Sequence, residues 1–121
     1  MPETRADRGR EAEDRAAAHL RTLGCEILAR NFRTKWGEID IVALSPGRDI
    51  LIFAEVRYRS RDDFGAPEET VVISKQRKLV RAAQIFLKTA PAALRGAAAR
   101  FDVVALSPAG LRHIENAFEA S

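Results

Sequence analysis

The chain is poor in several residue types, and each scarcity narrows what it can be. It has one cysteine, Cys25, so no internal disulfide can form, and that usage fits a reducing compartment. Without an activating base in view, Cys25 reads as a small buried hydrophobe. The 2 histidines, His19 and His113, have no His or Cys partner at metal-ligand spacing and read as surface residues. No apolar run approaches the ~20 residues of a membrane span. The N-terminus sets Glu3, Asp7, Glu11 and Glu13 among arginines and has no apolar stretch of the kind a signal peptide needs. We therefore expect a cytoplasmic protein with no membrane partner. Net charge is also small, +3, too small to announce nucleic acid by itself.

What is present describes a globular domain. Hydrophobic residues make up 46% and charged residues 31% of 121 positions, enough to bury one core. There is no internal repeat and no low-complexity linker. We read residues 1–8 as a flexible polar end, 9–118 as a single domain and 119–121 as a tail. Gly9 to Leu23 has Ala12, Ala16, Leu20 and Leu23 at helical spacing, and Gly24 stands where a helix ends. Cys25 to Phe32 reads as a short edge strand, and Gly37 to Leu44 as a strand rich in β-formers. Ser45 to Asp49 is a turn. Ile50 to Arg59 is apolar on both faces along Ile50-Leu51-Ile52-Phe53-Ala54, which belongs in the middle of a sheet. Arg59 to Thr70 reads as a loop. Ser74 is placed to cap a helix from Lys75 to Lys88, Arg100 to Leu106 is a further strand, and Leu111 to Phe118 is either one more strand or a short extension. Helices mixed with strands around a central hairpin imply an α/β class, with a mixed sheet flanked by helices.

Three acids stand in apolar surroundings. From Glu13 the helix-face neighbours are Ala16, Ala17 and Leu20, so its carboxylate lies on or beside the stripe that faces the sheet and needs a partner or a metal. The alternative is a stripe-edge acid favoured by the helix dipole. Asp40 interrupts Glu38-Ile39-Asp40-Ile41-Val42, although Asp is a poor strand residue; a solvent-facing strand position would explain it as well. Glu55 ends an apolar run and shares a face with Phe53, Arg57 and Arg59, at the strand end where open sheets tend to bind ligands. A surface ion pair with Arg57 is the plainer account. Together, the acids suit Mg²⁺ or Mn²⁺, hard cations that prefer oxygen, and such a metal can polarise a phosphate and acidify a water. Arg30, Arg33, Lys35 and the cluster from Lys75 to Arg81 can track phosphates, although a solvated helix face explains that cluster equally. Trp36 can stack on a base; packing against the protein is the role we expect.

These stretches carry a resemblance. Gly9-x-x-Ala12-Glu13-x-x-Ala16, Gly37-Glu38-Ile39-Asp40, Phe53-Ala54-Glu55-Val56-Arg57-Tyr58-Arg59, Phe64-Gly65, Lys75, Arg100-Phe101-Asp102-Val103-Val104 and His113-Ile114-Glu115-Asn116-Ala117-Phe118 together resemble the YraN family of bacterial endonuclease-like proteins. That family is similar to the PD-(D/E)XK nucleases and, distantly, to archaeal Holliday-junction resolvases. The resemblance implies a restriction-endonuclease-like fold and a divalent-metal-dependent endonuclease acting on DNA, branched DNA being the substrate of the distant relatives. Asp40 and Glu55 would be metal ligands, Glu13 a third acid, and Arg57 the cation at the phosphate. Arg33, Lys35, Arg59, Lys75 and Lys78 would contact nucleic acid, and a homodimer is expected by analogy. One departure matters. Arg57 stands where the family has lysine, and arginine cannot give up a proton. The alternative is therefore a nucleic-acid-binding protein of the same fold that cuts poorly or not at all, with Arg59 and Lys75 as nearby residues to share the lysine's task.

The hairpin yields a geometric expectation. For Asp40 to meet Glu55 on one face without a bulge, Leu44 must oppose Leu51. A register shifted by one would send Asp40 to the face opposite Glu55, and with no compensating bulge the metal-site reading would fail.

Overall fold

In the computed structural model the described residues are 4–59 and 71–120. The expected loop, apart from Arg59, and the Phe64-Gly65 pair lie outside them. The elements run α1 (Arg5–Thr22), β1 (Glu26–Thr34), β2 (Gly37–Leu44), β3 (Ile50–Tyr58), α2 (Ile73–Thr89), a 3-10 turn (Ala92–Leu94), β4 (Ala98–Ser107) and β5 (Gly110–Phe118).

Both helices start earlier than their apolar patterns indicate. Thr4 and Asp7 form a reciprocal capping box, so α1 begins at Arg5 rather than Gly9. The α2 N-cap is Val72 and makes no side-chain cap bond, so Ser74 does not cap. Instead the Gln76 side-chain amide reaches back 2.7 Å to the Val71 carbonyl. Gly24, in the left-handed region at φ 87°, ends α1 as expected.

The strands form one sheet in the order β1-β2-β3-β4-β5. Among the described residues only β3 and β4 pair parallel, across the connection that carries α2; the other pairs are antiparallel. This is the mixed sheet with flanking helices that a restriction-endonuclease-like fold requires. β3 is central, as its two apolar faces demand, and β1 is an edge strand. Leu111 to Phe118 is no extension: it lies within β5, a complete edge strand of 9 residues.

Alternation along the strands divides the core in two. Ala12, Ala16, Ala17 and Leu20 of α1 cover Ile41, Ala43, Ile52, Ala54, Val104 and Leu106. Leu79, Ala82 and Ala83 of α2 cover Ile39, Val42, Leu44, Leu51, Phe53, Phe101 and Val103. In the second layer Phe53 stacks on Phe101 and Phe101 on Phe118, at centroid distances of 5.6 and 4.7 Å. Cys25 is buried, and burial pushes its thiol up.

Candidate active site where two strands part

The expected register is present. Leu44 opposes Leu51, and the ladder runs through Ala43–Ile52 and Val42–Phe53 to Ile41–Ala54. There it stops, one step short of Asp40 and Glu55. Ile39 packs in the α2 layer and Ile41 in the α1 layer, although residues two apart on a regular strand share a face. The backbone of β2 therefore turns over at Asp40. Its neighbour β1 turns over at the same level: Arg30 reaches α1, Phe32 packs in the α2 layer, and Asn31 between them has φ 54°. Asparagine tolerates that left-handed conformation better than most residues.

This double irregularity places the acids. The Asp40 carboxylate accepts the Val56 backbone N–H at 2.7 Å, taking up a donor that the ended ladder leaves over. Asp40 opens into a cleft of about 530 Å³ on the α1 side, beside Glu13, Arg30, Asn31 and Tyr58. Glu13 is 12% exposed at its side chain and accepts from Arg30 at 2.8 Å and Asn31 at 3.0 Å. Glu55 is held on the α2 side, where Arg57 lies 3.1 Å and Lys75 3.2 Å away. Asp40 and Glu55 therefore approach the gap from opposite sides, and the shared face expected from register alone is absent. Burial pushes the Asp40 carboxyl up to about 6, and the charges of Glu55, Glu38 and Glu13 add to the rise against the Val56 hydrogen bond. The three predicted acids, with Glu38, thus belong to one electrostatic neighbourhood. Among the described residues, no three His, Cys, Asp or Glu side chains gather at metal-ligand spacing.

The Uncharacterised protein family UPF0102 matches residues 12–106, from α1 through β4. The chain belongs to UPF0102. Similar curated members include a UPF0102 protein of Cupriavidus taiwanensis, 46% identical over 97% of this chain and 86% of its own. A Dechloromonas aromatica member is 43% identical over 98% and 93%, and a Persephonella marina member 38% over 93% of both chains.

The predicted phosphate contacts of this UPF0102 chain fall in different places. Lys75 and Lys78 lie on α2, with Lys75 at Glu55. Arg33, on β1, is 3.6 Å from Glu38. Lys35 is in the β1–β2 turn over Trp36. Arg59 follows β3 and donates its backbone N–H to Leu106. Asn31 was not singled out from sequence, although its taste for the left-handed region was a usable signal.

A second polar centre also lay beyond the sequence reading. Asp102 is 2% exposed in β4. Its carboxylate accepts two bonds from Arg100 at 2.9 Å and the Asn116 N–H at 3.0 Å, and pairs with His113 at 2.8 Å. His113 in turn faces His19 at 3.1 Å. The two histidines are therefore half-buried partners, not isolated surface residues. Desolvation would raise the Asp102 carboxyl, yet His113, Arg100 and the Asn116 N–H together hold it below the usual carboxylate range.

Among the described residues no helix is long and apolar enough to cross a membrane.

Proposed function

We propose that this chain is a divalent-metal-dependent endonuclease of the PD-(D/E)XK type that hydrolyses phosphodiester bonds of DNA, branched DNA included. The observation that carries the reading is Asp40: a half-buried carboxylate raised to about 6 by burial and by Glu55, Glu38 and Glu13, placed where β2 and β3 part. Glu13, Glu38 and Glu55 each have an arginine or lysine partner, whereas Asp40 has none among the described residues, and a cation there would favour its ionised form.

The donor chemistry fits Mg²⁺ or Mn²⁺, because every donor offered is a carboxylate oxygen. Asp40 and Glu55 would hold the ion, with Glu13 the third acid on the α1 side. When bound, the ion supplies charge to a phosphate oxygen and acidifies the attacking water. Arg57, with its guanidinium on Glu55, keeps a fixed positive charge that can hold two phosphate oxygens. Arginine cannot give up its proton. Lys75 places a lysine ammonium 3.2 Å from Glu55. That contact favours Lys75 as the amine standing in for the family's lysine.

The second reading is a nucleic-acid-binding protein with a lapsed site, and it is favoured by Arg57 itself. The deciding experiment is cleavage of branched, single-stranded and duplex DNA with Mg²⁺ or Mn²⁺. Cutting by the wild type that Glu55→Ala abolishes supports the enzyme. Binding without cutting, with cutting restored by Arg57→Lys, supports the lapsed site; neither binding nor cutting by either protein refutes both.

A further inference from the structure

We propose that Trp36, backed by Arg81, is a stacking platform for an unpaired base of a DNA strand whose phosphates run along α2. The proposal rests on the nucleic-acid reading above and deepens it, by naming the single strand as what this face receives.

Trp36 sits in the two-residue turn between β1 and β2. The turn is well organised: the Thr34 hydroxyl accepts the N–H groups of Trp36 and Gly37, each at 3.1 Å, and donates to the Gly37 carbonyl at 2.9 Å. It is also seated on α2, because a Cβ at Gly37 would fall 3.3 Å from the Lys78 Cβ. The backbone that carries the indole is therefore held in place, and the residue is 42% exposed. The Arg81 guanidinium lies 4.3 Å from the ring centroid, and the Lys35 ammonium is more distant at 5.2 Å. A guanidinium against an indole orients the ring and makes it a better partner for a base. Lys35, on a flexible exposed stem, can exchange the ring for a phosphate.

The charges around the ring favour the same occupant. Lys78, Arg81 and Arg77 are exposed on α2, and none has an acidic partner among the described residues. Lys75, Lys78 and Arg81 follow one another at three-residue spacing, the spacing of neighbours on a helix surface. The row begins with Lys75 at Glu55, passes Lys78 against Gly37 and ends with Arg81 at Trp36. It spans about 9 Å of helix axis and links the candidate active site to the ring. A paired base has both faces occupied inside the duplex, so only an unpaired base can use the indole.

Trp36 is the only tryptophan of the chain, so tryptophan emission reports on this site alone. The experiment titrates the full chain with end-labelled oligo(dT), and with a duplex of equal length, at low salt without divalent metal. It follows label anisotropy and tryptophan emission together. We expect the single strand to raise anisotropy and quench Trp36, and the duplex to leave emission nearly unchanged. Trp36→Ala should weaken oligo(dT) binding by about fivefold or more, and Trp36→Phe should keep affinity within about threefold of wild type, since it retains a ring. Anisotropy that rises with Trp36 silent, or with Trp36→Ala and wild type binding alike, overturns the platform and leaves the nucleic-acid reading standing. No rise with either DNA overturns the platform, and no rise when the titration is repeated with Ca²⁺ overturns the nucleic-acid reading as well.

Discussion

The Asp40 carboxylate accepts the backbone N–H of Val56 at 2.7 Å, across the point where the β2–β3 ladder ends. The contact fixes a carboxyl raised from 3.8 to about 6, which has a consequence for stability. A raised carboxyl means that the folded state holds its proton more tightly than the unfolded chain does. The penalty for ionising it is absent below about pH 4 and complete above about pH 6. Asp40→Asn removes that penalty and keeps an oxygen for Val56. It should stabilise the protein near neutral pH by up to about 3 kcal/mol, with the gain shrinking toward zero as pH falls from 6 to 4, while cleavage is lost. Urea midpoints of both proteins at several pH values test this. A constant difference across that range would contradict the assignment.

The strand that matters most was legible from its residues. Apolar character on both faces put β3 in the centre, and the requirement that Leu44 oppose Leu51 was met. The reversal at Asp40 and Asn31 was not legible. A period-two pattern assumes a regular strand and cannot see one that turns over midway. For the same reason, a correct register did not put Asp40 and Glu55 on one face. The Asp102 centre was hidden differently: Arg100, Asp102, His113 and Asn116 meet only because β5 folds back on β4.

Lys75 is expected to carry the function that Arg57 cannot. Lys75→Met should lower kcat for cleavage on the order of a hundredfold, with DNA affinity reduced far less, because one exposed cation among several contributes little to binding. Arg57→Lys should raise kcat, and in that background the loss from Lys75→Met should be smaller. Single-turnover cleavage with a parallel binding curve separates the two effects. Equal losses in binding and kcat would reduce Lys75 to a phosphate contact.

Asp102 is expected to matter for folding rather than chemistry. Removing a fully buried carboxylate leaves Arg100 with only its longer contact to Glu115, at 3.8 Å, and the Asn116 N–H without its acceptor. Asp102→Ala should cost about 3–5 kcal/mol. Because the folded carboxyl is held below its ordinary value of 3.8, its contribution is present above about pH 4 and is lost as pH falls further. Denaturant titrations should show this acid loss in the wild type and its absence in Asp102→Asn. The same acid sensitivity in both proteins would assign it to other groups.

Glu13 separates a structural acid from one that serves a metal. Its contacts, Arg30 at 2.8 Å and Asn31 at 3.0 Å, anchor α1 over the irregular part of β1, and a glutamine can still accept from both. Glu13→Gln should therefore change stability by no more than about 1 kcal/mol. If Glu13 supports the metal, the same change should raise the Mg²⁺ concentration for half-maximal cleavage by about tenfold or more. The charge it removes is one of those acting on Asp40. A Mg²⁺ titration of cleavage for the two proteins, with their thermal midpoints, distinguishes the roles. An unchanged Mg²⁺ requirement would leave Glu13 as the partner of Arg30 and confine the metal to Asp40 and Glu55.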